Sequence, residues 1–132
     1  MLKQERLEEI VSAYQDMWRW IRDNLPCLKE KYSSITDAKQ AYMKSPEFKK
    51  YGVPVVFEGC LFCEAYSCCV GCPLMSCTYG EHEYGILKKY WYDKNSDIPE
   101  EDAKSLCDTI IQAHEELKKN PTERLLDRLE DK

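Results

Sequence analysis

Two thiol pairs stand at metal-binding spacing in the middle of the chain: Cys60-Leu-Phe-Cys63 and, five residues further on, Cys69-Val-Gly-Cys72. A C-x2-C turn presents two thiolates to one ion, and two such turns complete the sulfur tetrahedron of a structural zinc site. Gly71 suits the second turn, where the backbone must curl so that its N–H groups point at sulfur. The first expectation is Zn2+ held by Cys60, Cys63, Cys69 and Cys72. Cys77 is the first reserve, through the looser tetrad Cys60, Cys63, Cys72 and Cys77. Cys68 and then His82 follow, since mixed Cys/His sites are common. An iron–sulfur cluster is the alternative cofactor, and redox or disulfide chemistry is the third reading.

Other chemistry fits the run less well. A zinc deaminase needs H-x-E followed by P-C-x-x-C. His82-Glu83 lacks the spacer and comes after the cysteines. Glu64, Glu81 and Glu83 are the acids a hydrolytic zinc could use, but four available thiolates favour a closed ion. A reactive thiolate wants a cation or a helix N-terminus beside it, and no Lys or Arg occurs between Tyr51 and Leu87. That gap also disfavours direct nucleic-acid binding by the cysteine run, because phosphate contacts need basic side chains. Four thiolates around one dication add a formal charge of -2, which points the run towards protein or towards its own fold.

The elements that must position this run are helical by pattern. Leu7, Ile10, Val11, Tyr14, Met17, Trp18, Ile21 and Leu25 form one stripe at helical spacing, so residues 4–25 are the first helix, and Pro26 is read as its stop. Residues 34–44 are a short helix. Ser45 is the N-cap and Pro46 the first position of another, which Gly52 ends. The run 53–57 (VPVVF) is the one strand-like stretch, broken by Pro54. Residues 83–93 read as an aromatic helix. Residues 98–119 form the second strong helix, with Glu100, Glu101 and Asp102 at its dipole-favoured start. Its apolar face is Ala103, Leu106, Cys107, Ile110, Ile111, His114 and Leu117. Cys107 is read as a small hydrophobe and His114 as a core histidine. A last short helix carries Leu125, Leu126 and Leu129. The expected fold is mainly α, a single domain over 1–132, with a zinc-knuckle loop in segment 58–83 and at most a short strand or hairpin.

The 132 residues are enough for one self-sufficient core. Met1 leads into Leu-Lys-Gln-Glu-Arg rather than an apolar leader, and no run approaches a membrane span, so a cytoplasmic protein with reduced thiols is expected. The net charge of -5 is not evenly spread. Residues 1–96 carry 13 acidic and 13 basic side chains, and residues 97–132 carry 11 and 6. The acidic end is read as the solvated face of two helices or as a docking surface. Trp20 lies off the first stripe, where it covers a neighbouring segment or anchors a partner. With Tyr90, Trp91 and Tyr92 it supplies aromatic surface for an interface, including one with a second copy of the chain.

The motifs C-L-F-C-E-A-Y, C-V-G-C-P-L, Cys77 and Y-G-I-L-K-K-Y-W resemble those of a loose group of small bacteriophage and prophage proteins. That group shares C-x-x-C-E, C-x-G-C-P-[LV], a further Cys and a Tyr-containing helix, after a first helix bearing a Trp. Residues Ala13 to Ile21, with Trp18, look like that first helix, and the resemblance spans about residues 5–30 and 58–117. The adjacent Cys68 and Cys69 and the short gap from Cys72 to Cys77 depart from the group, which leaves the ligand set open. The resemblance implies phage origin, the cytoplasm of an infected or lysogenic host and a metal-held helical fold. It carries over no catalytic residue. The expected function is therefore non-enzymatic: a zinc-stabilised phage accessory protein that binds a host protein or protein–nucleic acid complex, as an inhibitor of a defence nuclease of the anti-CRISPR or anti-restriction kind. The first rival is a nucleic-acid regulator using Lys29, Lys31, Lys39, Lys44, Lys49 and Lys50, interleaved with Tyr32, Tyr42 and Tyr51. The second is a thiol-redox or zinc-dependent enzyme.

Overall fold

The computed structural model describes residues 3–51, 83–92 and 98–120. The described elements are six helices: α1 (Lys3–Asp23), α2 (Leu25–Lys31), α3 (Ile35–Met43), α4 (Pro46–Lys49), α5 (Glu83–Tyr92) and α6 (Glu100–Lys119). No strand occurs among the described residues, in keeping with a mainly α chain. The strand-like run 53–57, Gly52 and the leucines of the last expected helix lie outside them.

α1 is the hub. Its stripe residues Leu7, Val11, Met17 and Ile21 are fully buried, and Ala13 and Gln15 are buried beside them. The buried face is thus wider than one seam, because α6 packs along α1 and α3 takes a further part of its surface. Each large apolar side chain buried this way is worth about 1.5–3 kcal/mol. Gln15 reaches from α1 to α6, where its Nε2 donates to the Glu115 carboxylate at 3.0 Å and the Ile111 carbonyl at 3.3 Å. Nearer the end of α1, Arg22 pairs with Asp108 at 2.6 Å. A later residue of α1 thus meets an earlier one of α6, so the two helices run antiparallel. The Arg22–Asp108 pair is solvent-facing and worth at most about 1 kcal/mol. Its effect is on register.

The chain turns sharply after α1. The backbone N–H of Asn24 bonds back to the carbonyls of Trp20 and Ile21, and its own carbonyl accepts from Leu28 N–H at 2.9 Å. One residue therefore closes α1 and opens α2. Pro26 falls in the first turn of α2 rather than merely stopping α1. At that position a missing N–H and a fixed φ cost nothing, and Leu25 and Leu28 repay the restart by entering the core.

Ser34 caps α3 by accepting from the Asp37 N–H at 3.1 Å. Ser34→Ala is expected to lower the unfolding free energy by about 1 kcal/mol, read as a shift in the urea midpoint at constant slope. Ser45 occupies the N-cap of α4 without capping it, since its hydroxyl donates instead to the Tyr42 carbonyl at 2.5 Å. Four rings then tie α1, α3 and α4 together. Tyr14 meets Phe48 edge-on at 5.7 Å, Phe48 meets Tyr42 at 6.1 Å, and Tyr42 meets Trp20 at 5.1 Å. The two edge-on pairs, Tyr14–Phe48 and Phe48–Tyr42, add about 0.5–1.5 kcal/mol each beyond area burial.

At the far end, Glu100, Glu101 and Asp102 fill the first turn of α6 and Lys118 and Lys119 the last. Both ends complement the helix dipole. The face between them buries Ala103, Cys107, Ile110, His114 and Leu117.

Candidate functional site

The metal run itself, Cys60, Cys63, Cys68, Cys69, Cys72 and Cys77 with His82, lies outside the described residues. The structure does describe both flanks from which that run departs. The entry is Tyr51. Its carbonyl accepts from Arg6 Nη1 at 2.9 Å, and its hydroxyl donates to Asp16 Oδ2 at 2.6 Å. Both partners sit on α1, on side chains ten residues apart, so the tyrosine is held at two points along the helix. The bond to Asp16 is the main reason that the phenol is pushed up to about 12, with burial second. Phe48, fully buried, fixes the helix just before it.

The exit is α5. Leu87 and Trp91 are buried in the shared core, and the Trp91 indole N–H donates to the Tyr32 carbonyl at 2.9 Å. Tyr90 lies under the Lys29 ammonium at 4.2 Å. Burial first, and then the charge of Glu100, raises its phenol above the ordinary range. Both flanks of segment 52–82 are therefore seated on the helical core.

The aromatic residues expected at a partner surface divide. Tyr90 and Trp91 are 7% and 3% exposed, so both belong to the core and not to an open surface. Their place on α5 faces α6, and a stretch with four aromatics in a row of nine gives no hint of which ring faces out. Tyr92 is 56% exposed and remains available. Trp20 is partly buried and covers Tyr42 of α3. Glu100, Glu101 and Asp102 are all exposed.

The basic strip of the rival reading also divides. Lys39 is 1% exposed, with its ammonium 5.5 Å from the Trp18 ring, and Tyr42 is buried. Lys29 is engaged with Tyr90. Lys31, Lys44, Lys49 and Lys50 stay exposed. The burial of Lys39 had a signal in the sequence. Ile35, Ala38, Lys39, Tyr42 and Met43 follow the i, i+3, i+4, i+7, i+8 pattern of one buried face, and all five are buried.

The remaining ionisable core groups are held in their neutral forms. Burial pushes the Cys107 thiol up to about 12. His114 is pushed down to about 4, chiefly by burial, while its Nδ1–H donates to the Ile110 carbonyl at 2.8 Å. At neutral pH neither is a thiolate nucleophile nor a charged acid. Cys27 is a free, exposed cysteine on α2. Among the described residues no three His, Cys, Asp or Glu side chains gather as a metal site, and no helix is long and apolar enough to cross a membrane. Comparison with protein families, with curated proteins and with solved structures finds no match.

Proposed function

We propose that the chain is a non-enzymatic, zinc-stabilised accessory protein of phage origin that acts in the bacterial cytoplasm by docking on a host protein complex. Its intended partner is a defence nuclease, whose nucleic-acid channel the acidic end of the protein occupies. Cys60, Cys63, Cys69 and Cys72 hold the ion, and Cys77 replaces one of them if the pairing is the looser one. The chemistry of the donor set supports zinc: two C-x2-C pairs with no basic residue around them make a closed thiolate site.

The observation that carries the docking reading is the distribution of exposed charge. Glu100, Glu101 and Asp102 all face solvent at the head of α6, and Tyr92 of α5 is exposed as well. The basic strip required by the nucleic-acid rival loses Lys39 and Tyr42 to the core. An exposed acidic helix head suits a protein surface that normally meets phosphates.

The test is capture of partners from infected cells followed by competition. The wild-type chain is expected to retain a nucleic-acid-binding host complex and to be displaced by added DNA or RNA. The triple variant Glu100→Lys, Glu101→Lys, Asp102→Lys is expected to lose at least about tenfold in affinity, most of it in the association rate and most visibly at low salt. Retention that nucleic acid never displaces refutes channel blocking. The exposed Lys31, Lys44, Lys49 and Lys50 keep one rival open: a salt-sensitive mobility shift abolished by Lys49→Ala with Lys50→Ala favours direct nucleic-acid binding.

A further inference from the structure

Two side chains capable of carrying positive charge are buried against neighbouring rings of α1, one from α6 and one from α3. His114 comes from α6 and is 2% exposed, and Lys39 comes from α3 and is 1% exposed. Tyr14 and Trp18 of α1 fill the space between the helices. The Tyr14 ring stacks on the imidazole at 6.1 Å and 18°, and Trp18 lies against the ammonium. α4 adds Phe48, which carries no charge. On α6 itself, Glu115 is engaged by Gln15 and Lys118, and Cys107 is a buried neutral thiol. α5 presents Tyr90, which is covered by Lys29 of α2. Among these groups Lys39 is the one whose charge acts on His114.

We infer that this junction is an acid-sensitive latch, in which protonation of His114 near the buried Lys39 releases α6 from α1. The imidazole already gives its Nδ1–H to the carbonyl one turn earlier, so a second proton would put a full charge on a ring that is 2% exposed. Desolvation and the nearby ammonium both oppose that, which is the direction in which His114 is shifted. Release of α6 removes both obstacles. The open state then takes up its proton near the ordinary 6.5, while the closed state resists it down to about 4. Closure is therefore at full strength above pH 6.5, weakens as pH falls through the window, and loses nothing further from this group below 4. The latch is a property of the helical core and is independent of the docking and zinc readings.

Amide hydrogen exchange on the intact chain reads the opening of α6 directly, after correction for the intrinsic pH dependence of exchange. The opening constant for the amides from Cys107 to His114 is expected to rise about 20-fold between pH 7 and pH 5 in the wild type. It is expected to stay nearly flat in His114→Phe, and to rise less in Lys39→Met. An equal rise in either variant, or no rise in the wild type, overturns the latch. Should a variant not fold, the imidazole resonances of wild-type His114 decide the matter. A neutral ring down to pH 5 in the closed protein supports the latch, and titration near the ordinary value with α6 still protected overturns it.

Discussion

Zinc titrated into the reduced chain is expected to bind at one ion per molecule, and cobalt in its place to show the charge-transfer bands of a four-thiolate site. The energy at stake is large, since structural zinc sites in small peptides bind with about 10–16 kcal/mol at neutral pH. Cys60→Ser and Cys63→Ser should each lower the affinity by more than the roughly 10- to 100-fold that loss of a group outside the ligand sphere costs. Cys69→Ser and Cys77→Ser separate the two tetrads: the first damages the close pairing and the second the looser one. Cys68→Ser should leave the metal in place. A brown, iron-containing protein whose colour is lost with the same variants would replace zinc by an iron–sulfur cluster.

The same titration bears on how the segment depends on the helices. Among the described residues, the buried apolar side chains of all six helices form one core. Chelation is therefore expected to remove the ion while most of the helical circular dichroism survives. A cooperative loss of helix on chelation would place the ion within the folding unit instead.

Trp91→Ala is expected to destabilise the fold by about 3–5 kcal/mol, as large aromatic truncations in cores do. It leaves a void in the core and removes the N–H that the Tyr32 carbonyl now accepts. The neighbouring Tyr92→Ala should move the unfolding free energy by no more than about 0.5 kcal/mol. Urea denaturation of both variants at equal protein concentration makes the comparison. Equal effects would mean that α5 is seated differently. If Tyr92→Ala leaves stability alone yet weakens partner capture, the exposed ring belongs to the docking surface.

Much of this could be read before any coordinates. The stripe from Leu7 to Ile21 is buried as its spacing requires, and the face from Ala103 to Leu117 follows the same rule. A period of 3.6 over about four turns leaves little room for error. Pro26 was harder, because a proline after a helix is equally a stop and a first-turn residue. Only the burial of Leu25 and Leu28 decides between them. Short aromatic α5 was harder still. Its three consecutive rings Tyr90, Trp91 and Tyr92 point in different directions, and hydropathy does not distinguish them. Polar clamps such as Arg6 and Asp16 on Tyr51 join residues 45 and 35 positions apart, so no local pattern announces them. The cysteine run is the opposite case. Its spacing is the most legible feature of the chain, while its ligand choice turns on geometry that spacing does not determine.

The pairing of α1 with α6 has a consequence in time. Gln15 finds its partner 100 residues further along the chain. At about 5–20 residues per second of synthesis, the apolar stripe of α1 waits roughly 5–20 s for the helix that covers it. During that interval Leu7, Val11, Met17 and Ile21 lack the helix that packs along most of α1. For a helical protein this is an unusually non-local closure, and it should fold more slowly than a bundle of sequential hairpins. A nascent chain with that stripe bare is a natural client for a ribosome-associated chaperone.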